Sequence, residues 1–199
     1  MTRDKFIKTL EGYVGVMEGS NTHRAICERY NTISPLPRGY KLSTSDPWCA
    51  GFVSALWWSF NREQWFPYEC SCSQMVSLAK QKGVFYKEPI DEIGWLVFYD
   101  WERDGSPDHV GYIVGKTSMT IDVIEGNYSN AVKKRTIASS SKAIYGVVQL
   151  KYDGSEVEDA KSFVTKNGIM LGDGTDTYWQ NPPTREQLAT ILYRFYTKT

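Results

Sequence analysis

Asp46-Pro47-Trp48-Cys49-Ala50-Gly51-Phe52-Val53-Ser54 sets one cysteine at the start of an apolar, helix-forming run. Asp46 is placed to cap the helix, and Pro47 suits a first turn whose N–H groups have no intrahelical partner. Cys49 falls within that turn, where free backbone N–H groups and the positive end of the helix dipole favour a thiolate over a thiol. A buried, inert cysteine is the bland alternative. The helix is expected to run from about Trp48 to Phe60.

Working outward, Phe6, Leu10, Tyr13, Val14 and Met17 recur at helical spacing. Ser20-Asn21-Thr22-His23 opens a second helix through Ile26 and Tyr30, which ends before Pro35 and Pro37, with His23 expected on a partly exposed face. Another helix follows a serine cap near Ser73, turns Met75, Val76, Leu78 and Ala79 inward, and stops at Gly83. Strands then dominate, over 95–99, 109–114, 121–125 and 144–150. Helices first and an antiparallel sheet afterwards is the α+β pattern.

A cysteine nucleophile needs a base, and the chain contains 2 histidines, His23 and His109. His109 begins the strand His109-Val110-Gly111-Tyr112-Ile113-Val114. A hairpin turn near 116–119 leads into Thr120-Ile121-Asp122-Val123-Ile124-Glu125-Gly126-Asn127. Alternation puts Ile121, Val123, Glu125 and Asn127 on one face. A register that sets His109 opposite the 125–127 stretch gathers three polar side chains on that face. An imidazole next to a thiol, with a carboxylate or amide on its other nitrogen, is the arrangement of a cysteine hydrolase.

Asp-Pro-Trp-Cys-Ala-Gly-Phe-Val-Ser (46–54), Pro-Asp-His-Val-Gly (107–111) and Ile-Glu-Gly-Asn (124–127), in that order, resemble the three signature blocks of a CHAP domain. CHAP domains are papain-like cysteine amidases and peptidases of bacterial peptidoglycan, related to the NlpC/P60 group. The similarity covers roughly residues 1–150, including Glu69-Cys70-Ser71 and Phe98-Tyr99-Asp100-Trp101. It implies a papain-like core with Cys49 as nucleophile, His109 as general base, Glu125 orienting the histidine, and Asn127 assisting it or the oxyanion. Gly94-Trp95 stands where many members carry Gly-Asp. The calcium-loop motif of some members is absent, so neither a metal nor another cofactor is expected. Trp48, beside the nucleophile, and Asp108, beside the base, are the expected substrate contacts. The other aromatics, Trp57, Trp58, Trp65, Phe66, Tyr68, Trp95 and Trp101, either line a groove or fill the core, the latter being preferred for Trp57 and Phe98.

The C-terminal part differs in character. A polar linker over 151–156 precedes a helix carrying Val157, Ala160, Phe163 and Val164. A glycine-punctuated turn over 168–175 follows, and then Thr184-Arg185-Glu186-Gln187, a capping box for a second helix with the stripe Leu188, Ile191, Leu192 and Phe195. Residues 157–199 resemble one S-layer homology repeat, a unit that binds secondary cell-wall polymers. That resemblance implies wall contacts from Thr184, Arg185 and Glu186. Two such helices bury too little surface to stand alone. The unit is therefore expected to pack on the catalytic domain or to self-associate into a homo-oligomer.

Composition narrows the classes further. Lys+Arg and Asp+Glu number 23 each, giving a net charge of zero. With no basic block, nucleic acid is not an expected partner. No apolar run approaches the ~20 residues of a membrane span. The first eight residues lack the apolar core of a signal peptide. The expectation is a bacteriolytic endolysin made in the host cytoplasm and acting on the wall after release, with a secreted autolysin as the alternative. The 4 cysteines show no zinc spacing, and Cys27, Cys70 and Cys72 are expected as reduced structural residues. Cys70-Ser71-Cys72 is too tight for a comfortable internal disulfide. The resulting expectation is an N-acetylmuramoyl-L-alanine amidase or peptidoglycan endopeptidase. The competing readings are a non-catalytic wall-binding or assembly protein, and a cytosolic cysteine hydrolase of small peptides.

Overall fold

A computed structural model describes residues 1–60, 65–87, 92–152 and 184–198. The chain divides into two compact units, Met1–Lys151 and Tyr152–Thr199. The first is an α+β unit whose described residues form four α-helices, α1 (Arg3–Glu11), α2 (Asn21–Tyr30), α3 (Cys49–Phe60) and α4 (Cys72–Gln81), leading into a six-stranded sheet. Its strands are β1 (Phe85–Tyr86), β2 (Leu96–Tyr99), β3 (His109–Lys116), β4 (Thr120–Glu125), β5 (Lys133–Ala138) and β6 (Ile144–Val148). Their spatial order is β1-β6-β2-β3-β4-β5, and every pairing is antiparallel.

The central helix α3 is buried from Cys49 through Trp58, as expected of a helix that is apolar all round. Tyr112 on β3 donates its hydroxyl to the Val53 carbonyl at 2.8 Å, and Phe6 of α1 packs edge-on against both Tyr112 and Trp57. Val97, Tyr99, Ile113, Ile121, Val123 and Val147 form a further buried cluster of the sheet. Helix α1 is shorter than the periodicity predicts. It ends at Glu11 with Gly12 at its C-cap, and Gly15 follows at φ 93°. Two glycines within four residues stop the helix, which leaves Val14 and Met17 exposed.

Two strands were not expected. β1 is two residues long. β5 is the edge strand Lys133-Lys134-Arg135-Thr136-Ile137-Ala138, whose run of charge hides its strand character. Lysines on an edge strand also discourage pairing with other chains.

The β3–β4 hairpin contains the irregularity that builds the candidate site. Near the turn, Lys116 pairs with Ile121 and Gly115 with Asp122; beyond a bulge, Ile113 pairs with Val123 and Tyr112 with Ile124. The extra β3 residue shifts the pairing by one, and a one-residue shift exchanges the faces of a strand. The bulge therefore brings His109 onto the face of Glu125. It also sets Gly111 against Glu125, where an added Cβ would lie 2.5 Å from Glu125 Cγ.

The described part of the second unit is one helix, α5 (Arg185–Lys198). The expected capping box forms: the Gln187 N–H donates to Thr184 Oγ1 at 3.2 Å, and the Thr184 N–H donates to Gln187 Oε1 at 2.8 Å. The expected helix around Val157–Val164, the turn over 168–175 and most of the linker lie outside the described residues. Among the described residues, no helix is long and apolar enough to cross a membrane.

Candidate active site

Cys49 is the first residue of α3. The Phe52 N–H donates to the Trp48 carbonyl at 2.7 Å, so Trp48 opens the helix. Asp46 does not cap it as expected. Its Oδ2 instead accepts the Ser43 N–H at 2.7 Å, closing the preceding turn. That bond holds the Asp46 carboxyl below the usual range. Trp48, expected to meet substrate, is fully buried. Its indole N–H donates to Glu18 Oε2 at 3.0 Å and its ring packs on His23. A Trp is retained inside when its N–H finds an acceptor, and Glu18 supplies one.

The Cys49 side chain opens onto a cavity of about 410 Å³, also lined by Cys72, Cys70, Arg38, Tyr40 and Asp108. Cys72 is the first residue of α4 and follows the N-cap Ser71. The sulfurs of Cys49 and Cys72 are 3.6 Å apart. The Cys72 contact leads the influences that hold the Cys49 thiol well below its ordinary range. Hydrogen bonding and charge from His109 and the Ala50 backbone act the same way, against the opposing effect of burial. Cys72 is pushed well above the ordinary range, first by Cys49 and then by burial. The two starting helices are tied together: Ser54 of α3 donates to the Glu69 carbonyl at 2.7 Å and accepts the Glu69 N–H at 2.9 Å. Glu69 is buried and is held by Arg38 at 2.6 and 3.0 Å.

His109 begins β3 and pairs with Tyr99 of β2. Its ring lies nearly parallel to Trp101, with centroids 4.9 Å apart, and edge-on to Tyr128. Its buried Nε2 has no hydrogen-bond partner and lies 4.0 Å from Glu125 Oε1. That separation exceeds a hydrogen bond, so the carboxylate expected to orient His109 makes no hydrogen bond to it in this geometry. Glu125 is fully buried and is gripped by Arg135 of β5, from Nε at 2.6 Å and Nη2 at 3.0 Å.

Asn127 lies beyond the end of β4. The chain leaves β4 at Glu125, and Asn127 sits in a turn at φ 58° with its side chain half-buried. Strand alternation therefore does not extend to it, and the left-handed backbone suits asparagine. Asp108 lines the cavity, and its Oδ2 accepts the Trp101 N–H at 2.9 Å. In α5, Thr184 is engaged in the cap and Glu186 is exposed in the first turn. Arg185 starts the helix.

Cys72 and Arg135 were missed by sequence reasoning. The serine cap before Cys72 is the same kind of signal that picked out Cys49. Arg135 lay in the unrecognised edge strand.

A second cysteine–histidine pair provides an internal contrast. His23 is fully buried, not partly exposed as expected. Its Nδ1 accepts the Gly19 N–H at 3.0 Å, and its Nε2 lies 3.6 Å from Cys27 Sγ. Burial lowers the His23 pKa and raises the Cys27 thiol to about 11, so both are neutral. A histidine neighbour alone does not make a thiolate.

Comparison of the sequence with protein-family models finds no match, and comparison with curated proteins finds none.

Proposed function

We propose that this chain is a cysteine hydrolase of the CHAP and NlpC/P60 type, with a papain-like core, that cuts an amide bond of bacterial peptidoglycan. The observation that carries the reading is the thiolate-favouring Cys49 at the start of α3, interacting with a His109 whose Nε2 edge faces the buried carboxylate of Glu125. The ordered blocks around Cys49, His109 and Glu125 supply the wall substrate.

The Cys49 thiolate attacks the carbonyl carbon of the scissile amide, and the developing oxyanion accepts the backbone N–H of Cys49. His109, as imidazolium, gives its proton to the leaving amine as the C–N bond breaks, leaving a thioester on Cys49. Neutral His109 then takes a proton from water, whose oxygen attacks the thioester. The acid departs and the thiolate–imidazolium pair returns. Glu125 stabilises the charged ring across 4.0 Å, while the Trp101 stack fixes its plane. The bond is either the one joining muramic acid to the first alanine or one within the stem or cross-bridge peptide. The capped α5, with Thr184, Arg185 and Glu186 at its start, belongs in this reading to an S-layer-homology-like unit held on a secondary wall polymer or completed by self-association. Release from a host cytoplasm, as for an endolysin, is part of the same proposal.

Turbidity of purified walls with the wild-type protein and Cys49→Ala tests the reading, with mass analysis of the released fragments. Clearing by the wild type alone supports it, and the fragments separate amidase from endopeptidase. Binding to walls without clearing by either protein would replace it with a wall-binding or assembly role.

A further inference from the structure

Two helices, α3 and α4, start at the same place, and each begins with a cysteine. Cys49 and Cys72 are both buried, their sulfurs are 3.6 Å apart, and both line the 410 Å³ cavity. Nothing in the cysteine–histidine reaction above requires a second thiol. A thiol remains a hydrogen-bond donor only while it keeps its proton, and a thiolate is acceptor only. A contact at this distance therefore needs at least one of the two sulfurs to keep its proton. The surroundings favour the proton on Cys72: His109 lowers the Cys49 thiol, whereas the charge of Asp108 raises that of Cys72.

We propose that Cys72 is a positioning residue for the Cys49 nucleophile, donating its S–H to the Cys49 sulfur and so favouring the charged form of that thiol. The inference deepens the hydrolase reading and rests on it only for the name of nucleophile. The directions of the two shifts agree with it: the Cys72 contact lowers the Cys49 thiol, and the Cys49 contact raises that of Cys72. The contrasting pair agrees as well: Cys27 has a buried histidine 3.6 Å away but no second thiol, and its pKa is raised. The Ser54–Glu69 clamp keeps the two helix starts in register, so the donor is preorganised.

The test is the rate of iodoacetamide modification of Cys49, followed on its own peptide by mass spectrometry from about pH 4 to about pH 10. Wild type, Cys72→Ala, Cys72→Val, Cys72→Ser and His109→Ala are compared. Alanine and valine remove the donor, valine while keeping most of the volume; serine keeps a donor. In the wild type the midpoint of reactivity falls well below the usual thiol range. Either donor-less variant raises it by about one pH unit or more, serine restores at least about half of that shift, and His109→Ala gives the histidine's separate share. The proposal is overturned if Ala and Val leave the midpoint within about 0.3 unit of wild type. It is also overturned if serine behaves like alanine. Wall clearing is read separately. A wild type that clears no wall but keeps the low, Cys72-dependent midpoint would refute the hydrolase reading and leave the thiol contact standing.

Discussion

Replacing Arg135 with alanine strands the Glu125 carboxylate inside the protein. Both oxygens are hydrogen-bonded to that guanidinium, at 2.6 and 3.0 Å, and Glu125 itself is fully buried. At an effective dielectric of about 20, unit charges about 3–4 Å apart attract by about 4–5 kcal/mol. Arg135 is 23% exposed, and its removal also relieves its own desolvation, which brings the expected loss to about 3 kcal/mol. For a domain of this size that corresponds to a fall in Tm of roughly 6–12 °C. His109, 4.0 Å away, is a poor substitute for the bidentate partner. The double variant Glu125→Gln/Arg135→Ala removes the stranded charge and should recover about half the loss, because an unpaired neutral amide is less costly to bury than an unpaired carboxylate. Urea unfolding followed by tryptophan fluorescence measures both. A loss below about 1 kcal/mol for Arg135→Ala, or a double variant no more stable than the single one, would refute the argument that Arg135 is what makes a buried Glu125 tolerable.

Three further tests follow from the thiols and the hairpin. At neutral pH, iodoacetamide should modify Cys49 well before Cys27, since Cys49 is held below the ordinary thiol range and Cys27 is raised to about 11; equal rates on the two peptides would contradict the assignment. For Cys27 the folded pKa lies above the unfolded one of about 9, so its contribution to stability is whole below about pH 9 and disappears as pH rises towards 11. The slope is at most about 1.4 kcal/mol per pH unit, and Cys27→Ala should flatten the alkaline decline in urea midpoint. Gly111→Ala places a Cβ 2.5 Å from Glu125 Cγ and 3.0 Å from the Ile124 carbonyl oxygen. Overpacking of this kind costs about 1–3 kcal/mol. Because the displaced group is Glu125, wall clearing per folded molecule should fall as well. Full clearing by the folded variant would show that Glu125 has no bearing on His109.

Helix α3 was legible because its signals are local: an apolar run after Pro47, and a cysteine at its head. The hairpin was legible because Gly111, Tyr112, Ile121 and Val123 alternate around a short polar turn. Errors came where tertiary contacts decide. His23 looked like a surface residue until Trp48 packed on it and the Gly19 N–H met its Nδ1. Trp48 looked exposed until Glu18, thirty residues earlier, reached its indole. β5 was illegible because an edge strand needs no apolar alternation, and Arg135 was lost with it. Asn127 was placed by extending a two-residue period past the point where the backbone turns left-handed. The bulge at Ile113–Gly115 has no strong local signal, yet it decides the face on which His109 lies.

The two cysteine–histidine pairs show which parts of this architecture bear on chemistry. Cys27 and His23 are four residues apart on one helix, held at 3.6 Å with their polar atoms enclosed. Burial disfavours charge on both, so proximity produces two neutral groups. Cys49 is buried too, yet its thiol is shifted in the opposite direction. What differs is the supply of donors. Cys49 sits on free N–H groups at a helix start, against a second thiol at another helix start, with an imidazole arriving from the sheet. Ionisation inside a protein is favoured where donors converge on the charged form and outweigh desolvation. Three elements must therefore be brought together. Ser54 and Glu69 join the two helix starts, and the β3 bulge turns His109 towards the Glu125 side of the hairpin. The fold matters to the proposed reaction chiefly as the device that makes a buried thiolate stable enough to wait for its substrate.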